Sequence, residues 1–207
     1  MEKLPQFLLL SLVLISCNLT SCSNNKGNDS TQNPGALAVI EPLTKEFLSK
    51  TGKIFVVEES HSNAAGLSDL KVYFKGESTR PTIYGSTDPV KKIILADLDL
   101  NGFDEIYIIT SSASAGSYGN LYATASNKDK SLSMIYLPGI SEKDREKGAD
   151  FDGYQGHDKF EIAGNALLRS YPIKGDTITQ RLVQYQLKAG EAGYILRVQH
   201  SKIISTK

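Results

Sequence analysis

Residues 97–105 carry oxygen-bearing side chains at a spacing that can wrap a Ca²⁺ ion. The first, third, fifth and ninth positions of this segment hold Asp97, Asp99, Asn101 and Glu105. The twelfth position is Ile108, where an EF-hand supplies a bidentate glutamate, so an EF-hand is excluded. Two interpretations stay open. The carboxylates form a weak Ca²⁺ site, or they accept backbone N–H groups and shape a polar turn between two strands.

A second segment, residues 111–120, reads SSASAGSYGN and follows an apolar stretch at 106–109. Its glycine and serine content predicts a projecting loop. Tyr118 near the tip is the kind of amphipathic anchor that fills a pocket on a partner protein. The alternative is a hairpin loop with Tyr118 folded back on the sheet. A phosphate-binding loop is excluded, because the pattern GxxxxGK[ST] and a following helix are both missing.

The sequence has no recognisable catalytic constellation. The three histidines, His61, His157 and His200, each stand alone, and the patterns HExxH, CxxC and GxSxG do not occur. We interpret His157, followed by Asp158, as a loop histidine held by a local hydrogen bond. We therefore predict that the protein is not an enzyme and that it needs no cofactor, apart from the Ca²⁺ considered above.

Alternation of apolar and polar residues predicts that β-strands position these segments. Alternation is clear at residues 70–74, 183–187 and 194–198, and further strand candidates are 54–57, 92–96, 105–110, 121–126, 132–136, 160–162 and 167–171. Turn residues separate the candidates, which is typical of an all-β, antiparallel β-sandwich or barrel-like domain. One short helix is predicted at 141–147, where Ser141 and Asp144 form a capping pair. Residues 37–50 form another short helix, closed by Gly52, or belong to a spacer.

The N-terminus has the pattern of a bacterial lipoprotein leader. An apolar run at residues 7–15 leads into LISC and then LTSC, two versions of a lipobox whose cysteine carries the lipid. We favour Cys17 over Cys22 because its lipobox directly continues the hydrophobic core. The predicted organisation is a signal peptide at 1–16, a tether at 17–52 and a folded domain at 53–207. The predicted location is the periplasm or outer cell envelope, with a lipid anchor in the membrane.

Charge and cysteine content indicate which kinds of partner to expect and what stabilises the folded domain. The 207 residues include 23 Lys and Arg against 23 Asp and Glu, so net charge does not indicate a nucleic-acid partner. The only two cysteines are the candidate lipidation sites Cys17 and Cys22, which precede the predicted folded domain. The folded domain therefore has no disulfide and depends on the burial of apolar side chains.

Several motifs in one order resemble the bacterial periplasmic inhibitors of I-type (invertebrate-type) lysozyme. The motifs are ADLD at 96–99, DEIY at 104–107, SA at 112–113, GSYG at 116–119, KSLS at 130–133, IYLP at 135–138, GYQGHD at 153–158, LR at 168–169 and YP at 171–172. The likeness covers the chain from about residue 53 to the C-terminus. Motifs that recur in a fixed order are far more specific than any one of them.

The resemblance implies an all-β domain that inhibits a lysozyme, with I-type lysozyme as the expected partner. In that family a Ser-Gly-x-Tyr loop enters the enzyme's cleft, where its hydroxyls meet the catalytic carboxylates. The implied lysozyme-binding residues here are Ser114, Gly116, Ser117 and Tyr118. This chain departs from the family at Ala115, which stands where the motif has serine. Ser114 and Ser117 are the candidates for a replacement hydroxyl.

Overall fold

The computed structural model describes residues 43–61, 66–78, 80–173 and 176–205, and in residues 176–178 only the backbone. The predicted signal peptide, both candidate lipidation sites (Cys17 and Cys22) and the tether up to residue 42 lie outside the described residues. Within the described ranges, no helix has the length and apolar character required to cross a membrane.

Twelve strands and one 3₁₀ turn make up the described fold. The strands are β1 (Leu43–Leu48), β2 (Ile54–His61), β3 (Ser68–Phe74), β4 (Thr82–Thr87), β5 (Val90–Ala96), β6 (Glu105–Ser111), β7 (Gly119–Ser126), β8 (Leu132–Tyr136), β9 (Lys159–Ala163), β10 (Ala166–Ile173), β11 (Asp176–Ala189) and β12 (Tyr194–Ser205). The 3₁₀ turn is Lys143–Arg145. The prediction of an all-β domain is confirmed.

The strands form two sheets. One has four strands in the order β1-β2-β3-β4, and the other has eight in the order β5-β6-β7-β8-β12-β11-β10-β9. Neighbouring strands pair antiparallel with strands consecutive to them in the chain, except that β8 and β12 pair in parallel; the consecutive strands β4 and β5, and β8 and β9, do not pair with each other. Side chains from β6 and β7 share one hydrophobic cluster with side chains from β10, β11 and β12. The larger sheet therefore curves round on itself into a nearly closed, barrel-like form.

Strand β6 is buried on both faces because it lies between two cores. Ile106 and Ile108 pack with residues of the four-stranded sheet, while Tyr107 and Ile109 face the interior of the curved sheet. A hydrogen bond ties the two layers together, since the Tyr84 hydroxyl of β4 donates to the carbonyl of Ala123 in β7 (2.6 Å). Burial of each large apolar side chain contributes about 1.5 to 3 kcal/mol. Because β6 packs against both cores, it fixes the start of the loop that follows it.

The short helix predicted within residues 37–50 is wrong over the described part of that segment. Leu43–Leu48 forms strand β1, which pairs with β2, so the folded domain includes residues before the predicted boundary at 53. The strand is largely exposed and lies at the edge of its sheet. Gly52, interpreted as a helix stop, has a φ of 89° and belongs to the turn that joins β1 to β2.

The helix predicted at 141–147 is reduced to the 3₁₀ turn Lys143–Arg145. Its predicted capping pair is present, because the Ser141 hydroxyl donates to the carboxylate of Asp144 (2.6 Å). The segment's backbone leaves the helical path at Glu146. It lies in the connection between β8 and β9, and the guanidinium carbon of Arg145 lies 5.3 Å from the ring centroid of Tyr154.

Candidate functional site

The loop between β6 and β7, residues 112–118, is closed by its own hydrogen bonds. The backbone N–H of Ser112 donates to the carbonyl of Tyr118 (2.9 Å) at the base of the loop. Within the loop, the N–H of Ser117 donates to the carbonyl of Ser114 (2.8 Å), and the N–H of Tyr118 donates to the Ser112 hydroxyl (3.0 Å). These bonds hold residues 112–118, hereafter the β6–β7 loop, as a compact turn that extends the hairpin.

The four residues predicted to bind lysozyme lie together in this loop. Ser114 and Ala115 are exposed at its tip, and Gly116 and Ser117 are partly buried behind them. The Ser114 hydroxyl lies 2.8 Å from the Ser112 hydroxyl. Ser117 has a φ of 40°, a left-handed conformation that turns the chain sharply before Tyr118. The loop thus presents a small polar tip beside one aromatic ring.

Tyr118 combines the two orientations considered from the sequence. Its side chain is 44% exposed, and its ring centroid lies 6.1 Å from that of Tyr154. One face of the ring lies so close to Gly116 that a Cβ there would come within 2.5 Å of the ring's Cε2 atom. The ring therefore rests on the domain over part of its surface and remains available to a partner over the rest.

The segment GYQGHD at 153–158 packs against the β6–β7 loop at Gly116. The N–H of His157 donates to the carbonyl of Gly116 (2.7 Å). Gly156 has a φ of 91°, and a Cβ at this position would lie 2.1 Å from the same carbonyl oxygen. Only glycine permits this close approach of two backbones. The hydrogen bond of the histidine is made by its backbone to a distant part of the chain, and so differs from the local hydrogen bond that we predicted.

Asp158 connects the loop to the interior of the curved sheet. Its carboxylate accepts hydrogen bonds from the N–H of Gly119 (2.8 Å), the hydroxyl of Tyr154 (2.7 Å) and Nε of Arg169 (2.7 Å). Nη2 of Arg169 in turn donates to the Tyr154 hydroxyl (2.8 Å). The Asp158 and Arg169 side chains are 0% and 5% exposed, so this is a buried ion pair with its hydrogen-bonding groups satisfied.

Aromatic rings enclose the Arg169 guanidinium. Its carbon lies 5.1 to 5.7 Å from the ring centroids of Phe151, Tyr154 and Phe160. Burial opposes the charge on Arg169, but the hydrogen bond and attraction from Asp158 outweigh it and raise the pKa of the guanidinium. Burial raises the pKa of the Tyr154 hydroxyl as well. The Arg169 guanidinium therefore stays charged at physiological pH, and it holds the Asp158 carboxylate that bonds the base of the loop.

Sequence reasoning did not find the pairing of Asp158 with Arg169, or the part that Tyr154 plays in it. One signal was present. Arg169 occupies the same face of β10 as Leu167 and Tyr171, both of which are buried, so alternation places a charge among inward-facing residues. A buried arginine requires a buried partner. The sequence pattern alone gives no means of identifying that partner.

The side chains at 97–105 form the polar turn between β5 and β6. Asp97 accepts the N–H groups of Asn101 (3.0 Å) and Gly102 (3.0 Å), and Asp99 accepts the N–H of Asn101 (3.1 Å). Asp97 also pairs with the Lys50 ammonium. Burial alone would raise the pKa of Asp97, but the hydrogen bonds from Lys50 and the backbone outweigh it and lower that pKa. The contacts with the backbone N–H groups are those of a capped polar turn.

Glu105 completes a cluster in which carboxylate oxygens of Asp97, Asp99 and Glu105 lie within 4.8 Å of one another. Glu105 is 1% exposed, and burial raises its pKa to about 8, although hydrogen bonds from the Leu98 N–H (2.7 Å) and the Tyr107 hydroxyl (3.0 Å) oppose the rise. These three residues are the ones that would ligate Ca²⁺. The same side chains accept the backbone N–H groups of the turn, so the described contacts account for the turn without a metal.

We expect Asp97→Ala to lower the melting temperature by the same amount in millimolar Ca²⁺ and in excess chelator. The substitution removes two backbone caps, a loss of about 1 to 2 kcal/mol, and also the contact with Lys50. Thermal unfolding in both conditions measures it. Asp129→Ala is the matched control, because Asp129 caps a different turn through the Ser126 hydroxyl (2.8 Å). A loss confined to the Ca²⁺ sample would instead assign a metal to the cluster.

Comparison with known proteins found no matching family model, and no curated protein or solved structure matched the chain at a significant level.

Proposed function

We propose that this protein is an inhibitor of lysozyme that occludes the enzyme's active-site cleft with the β6–β7 loop. The observation that carries the proposal is the convergence of separate motifs on one place. GSYG at 116–119, GYQGHD at 153–158 and Arg169 of the LR motif contact one another through backbone and side-chain hydrogen bonds. These are motifs on which the resemblance to the I-type lysozyme inhibitors rests, and each has a part in presenting Tyr118.

The physical properties of the loop support this role. An inhibitor that blocks a cleft gains affinity when its binding loop is ordered before the partner arrives, because less entropy is lost on binding. The β6–β7 loop is braced by the His157 N–H and by the buried pair of Asp158 and Arg169. A hydrogen bond from the Tyr118 hydroxyl to a catalytic carboxylate would be charge-assisted and contribute about 1.5 to 3 kcal/mol.

The proposal is of a binding protein rather than an enzyme. Blocking a cleft requires shape and hydrogen-bond donors, and it requires no nucleophile, general base or metal. In the described residues the tip of the loop offers hydroxyl groups of Ser114 and Tyr118, both on exposed side chains. The hydroxyl donors are the feature that the catalytic carboxylates of a lysozyme would recognise.

The deciding experiment is a lysis assay on suspended peptidoglycan. Lysozymes of the I, C and G types are assayed with and without the purified domain, and the inhibition constant is measured for each. We expect inhibition of the I-type enzyme at a concentration that leaves the others active. Inhibition of none would overturn the proposal and leave a non-inhibitory binding module of the cell envelope as the remaining candidate.

We expect Ala115→Ser to strengthen inhibition of I-type lysozyme several-fold. Ala115 is exposed at the tip of the loop, so serine fits without repacking the domain. The added hydroxyl restores the family's donor, and one hydrogen bond contributes about 1 kcal/mol. The inhibition constant in the lysis assay measures the gain. Ala113→Ser, also exposed in the same loop, is the control and should leave inhibition unchanged. A gain of equal size in both variants would contradict a specific role for position 115.

We also propose that the mature protein is held at the cell envelope by a lipid on Cys17, since its lipobox abuts the apolar run of the leader. Mass spectrometry of the protein from membranes of an expressing bacterium should show a diacylglycerol-modified cysteine as the first residue. Lipid on Cys22 would change only the choice of cysteine. An unlipidated cleavage product, or an intact precursor, would contradict the anchor.

A further inference from the structure

A groove with a volume of about 550 Å³ opens directly beside the β6–β7 loop. Its walls come from β7, from the end of β8 with the residues that follow it, and from the 3₁₀ turn Lys143–Arg145. Tyr118 lines the groove as well as belonging to the loop. A partner that contacts Tyr118 is therefore already at the rim of the groove.

Exposed apolar side chains are concentrated in this groove. Tyr118, Met134 and Tyr136 are 44%, 49% and 62% exposed, and all three line it. Tyrosine and methionine are enriched in the cores of protein–protein interfaces. Contiguous exposed apolar surface on a soluble domain marks an interaction site more often than scattered residues do.

The groove also has a definite charge. Arg145 lines it, with its guanidinium carbon 5.3 Å from the ring centroid of Tyr154. Across the described ranges, no carboxylate lies within ion-pair distance of Arg145, and no aspartate or glutamate lines the groove. Arg169, the other cation in the lining, is neutralised by Asp158. The groove therefore presents one unpaired positive charge next to aromatic surface.

The β6–β7 loop is too small to form a stable interface without neighbouring surface. A specific protein complex buries about 800 Å² on each partner and uses roughly 20 to 30 residues a side. The loop comprises only residues 112–118. Additional surface must therefore come from what adjoins the loop, and the groove adjoins it through Tyr118.

We propose that the groove receives a surface loop of the inhibited lysozyme that carries an aspartate or glutamate, whose carboxylate pairs with Arg145. This inference rests on the proposed inhibitory function and extends it with a second contact. Tyr118 anchors the complex in the enzyme's cleft. Tyr136 and Met134 cover the apolar part of the docked segment, and Arg145 selects enzymes with an acidic side chain at that position.

The test is direct binding to the lysozyme that the wild-type domain inhibits, measured by calorimetry at low and at high salt. We expect Arg145→Gln to weaken binding about tenfold and to reduce the dependence of affinity on salt, because an interfacial ion pair is lost. We expect Tyr136→Ala to weaken binding about tenfold or more. Both side chains are exposed, so melting temperatures should stay within a few degrees of wild type.

Two control variants are matched to these changes. Lys147→Gln removes an exposed positive charge just beyond the same 3₁₀ turn, and Ile203→Ser removes an apolar side chain that is 61% exposed; neither residue lines the groove. Both controls should bind within twofold of wild type.

The outcomes separate the inference from the function on which it rests. If Arg145→Gln and Tyr136→Ala bind lysozyme normally and the wild-type domain inhibits it, the proposed docking in the groove is wrong and the inhibitory function still stands. A wild-type domain that binds no lysozyme overturns both. Binding of N-acetylmuramic acid that is lost in Arg145→Gln, while lysozyme binding is unchanged, assigns the groove to a small carboxylate and also overturns the inference.

Discussion

Tyr118→Ala should remove most of the inhibition while the domain stays folded. Tyrosine anchors at the centre of an interface contribute about 2 to 4 kcal/mol, which corresponds to roughly a 30- to 1,000-fold rise in the inhibition constant. The ring is 44% exposed and rests on Tyr154 rather than in the core, so the loss of stability should be about 1 kcal/mol. The lysis assay and thermal unfolding measure the two effects.

Two further variants divide this effect into the contributions of the hydroxyl and the ring position. Tyr118→Phe keeps the ring but loses the hydroxyl. Its inhibition constant should rise about tenfold, which corresponds to the loss of one charge-assisted hydrogen bond. Gly116→Ala keeps the tyrosine but places a Cβ 2.5 Å from its Cε2 atom, so the ring must move and inhibition should fall again. Leu100→Ala, at an exposed position in a different loop, is the control. If Tyr118→Ala unfolds the domain, the residue belongs to the core and the inhibitory role of the loop is wrong.

Arg169→Leu should be the most destabilising single change among the polar residues of the site. It leaves the Asp158 carboxylate buried without its ionic partner, which costs about 3 to 5 kcal/mol. For a domain of this size the melting temperature should fall by roughly 10 °C. Inhibition should also weaken at temperatures where the variant is still folded, because the same carboxylate holds the N–H of Gly119 at the base of the loop. Denaturant unfolding and the lysis assay provide the measurements.

Arg181→Leu is the matched control for this prediction. Arg181 is also a strand arginine that faces an aspartate, but its Nη2 lies 3.7 Å from Asp152, whose side chain is 34% exposed. The Arg181 side chain is 11% exposed, and the pair is longer and more solvated than that of Arg169 with Asp158, so it contributes about 1 kcal/mol or less. In the double variant that combines Arg169→Leu with Asp158→Leu, the loss of unfolding free energy should be smaller than the sum of the losses in the two single variants. Equal losses for Arg169→Leu and Arg181→Leu would contradict the bracing role.

Strands with one or two buried faces were predictable from the sequence, and exposed edge strands were not. The run at 105–110 and the alternation at 183–187 reflect burial directly, and both became strands. In β1 the side chains are exposed on both faces except that of Phe47, which is partly buried, so no alternation marks it as a strand. Strand β4 was not predicted. It buries only Tyr84 and Thr87, and Gly85 and Ser86, whose φ is 53°, interrupt its pattern.

The glycine and serine content of the β6–β7 loop was enough to identify it as a loop from the sequence. The structure that holds this loop in place depends on contacts between distant parts of the chain. Asp158 meets the N–H of Gly119 across 39 positions, and Arg169 reaches the carbonyl of Gly119 across 50. Local patterns contain no information about such contacts. The close approach of Gly156 to Gly116 is also invisible in the sequence, because a glycine in a loop is common and its reason lies in the neighbouring backbone.

The parallel contact of β8 with β12 has a consequence for how the domain folds and opens. Every other strand pairing of the described fold joins strands that are consecutive in the chain, as in a hairpin. This seam pairs only Tyr194 with Ile135 and Ile195 with Tyr136, and it closes a long stretch of chain. Its amides should exchange with solvent through partial openings, before global unfolding. Because Ile135 and Tyr136 also line the groove, a bound partner would contact the β8 side of this pairing and slow that exchange.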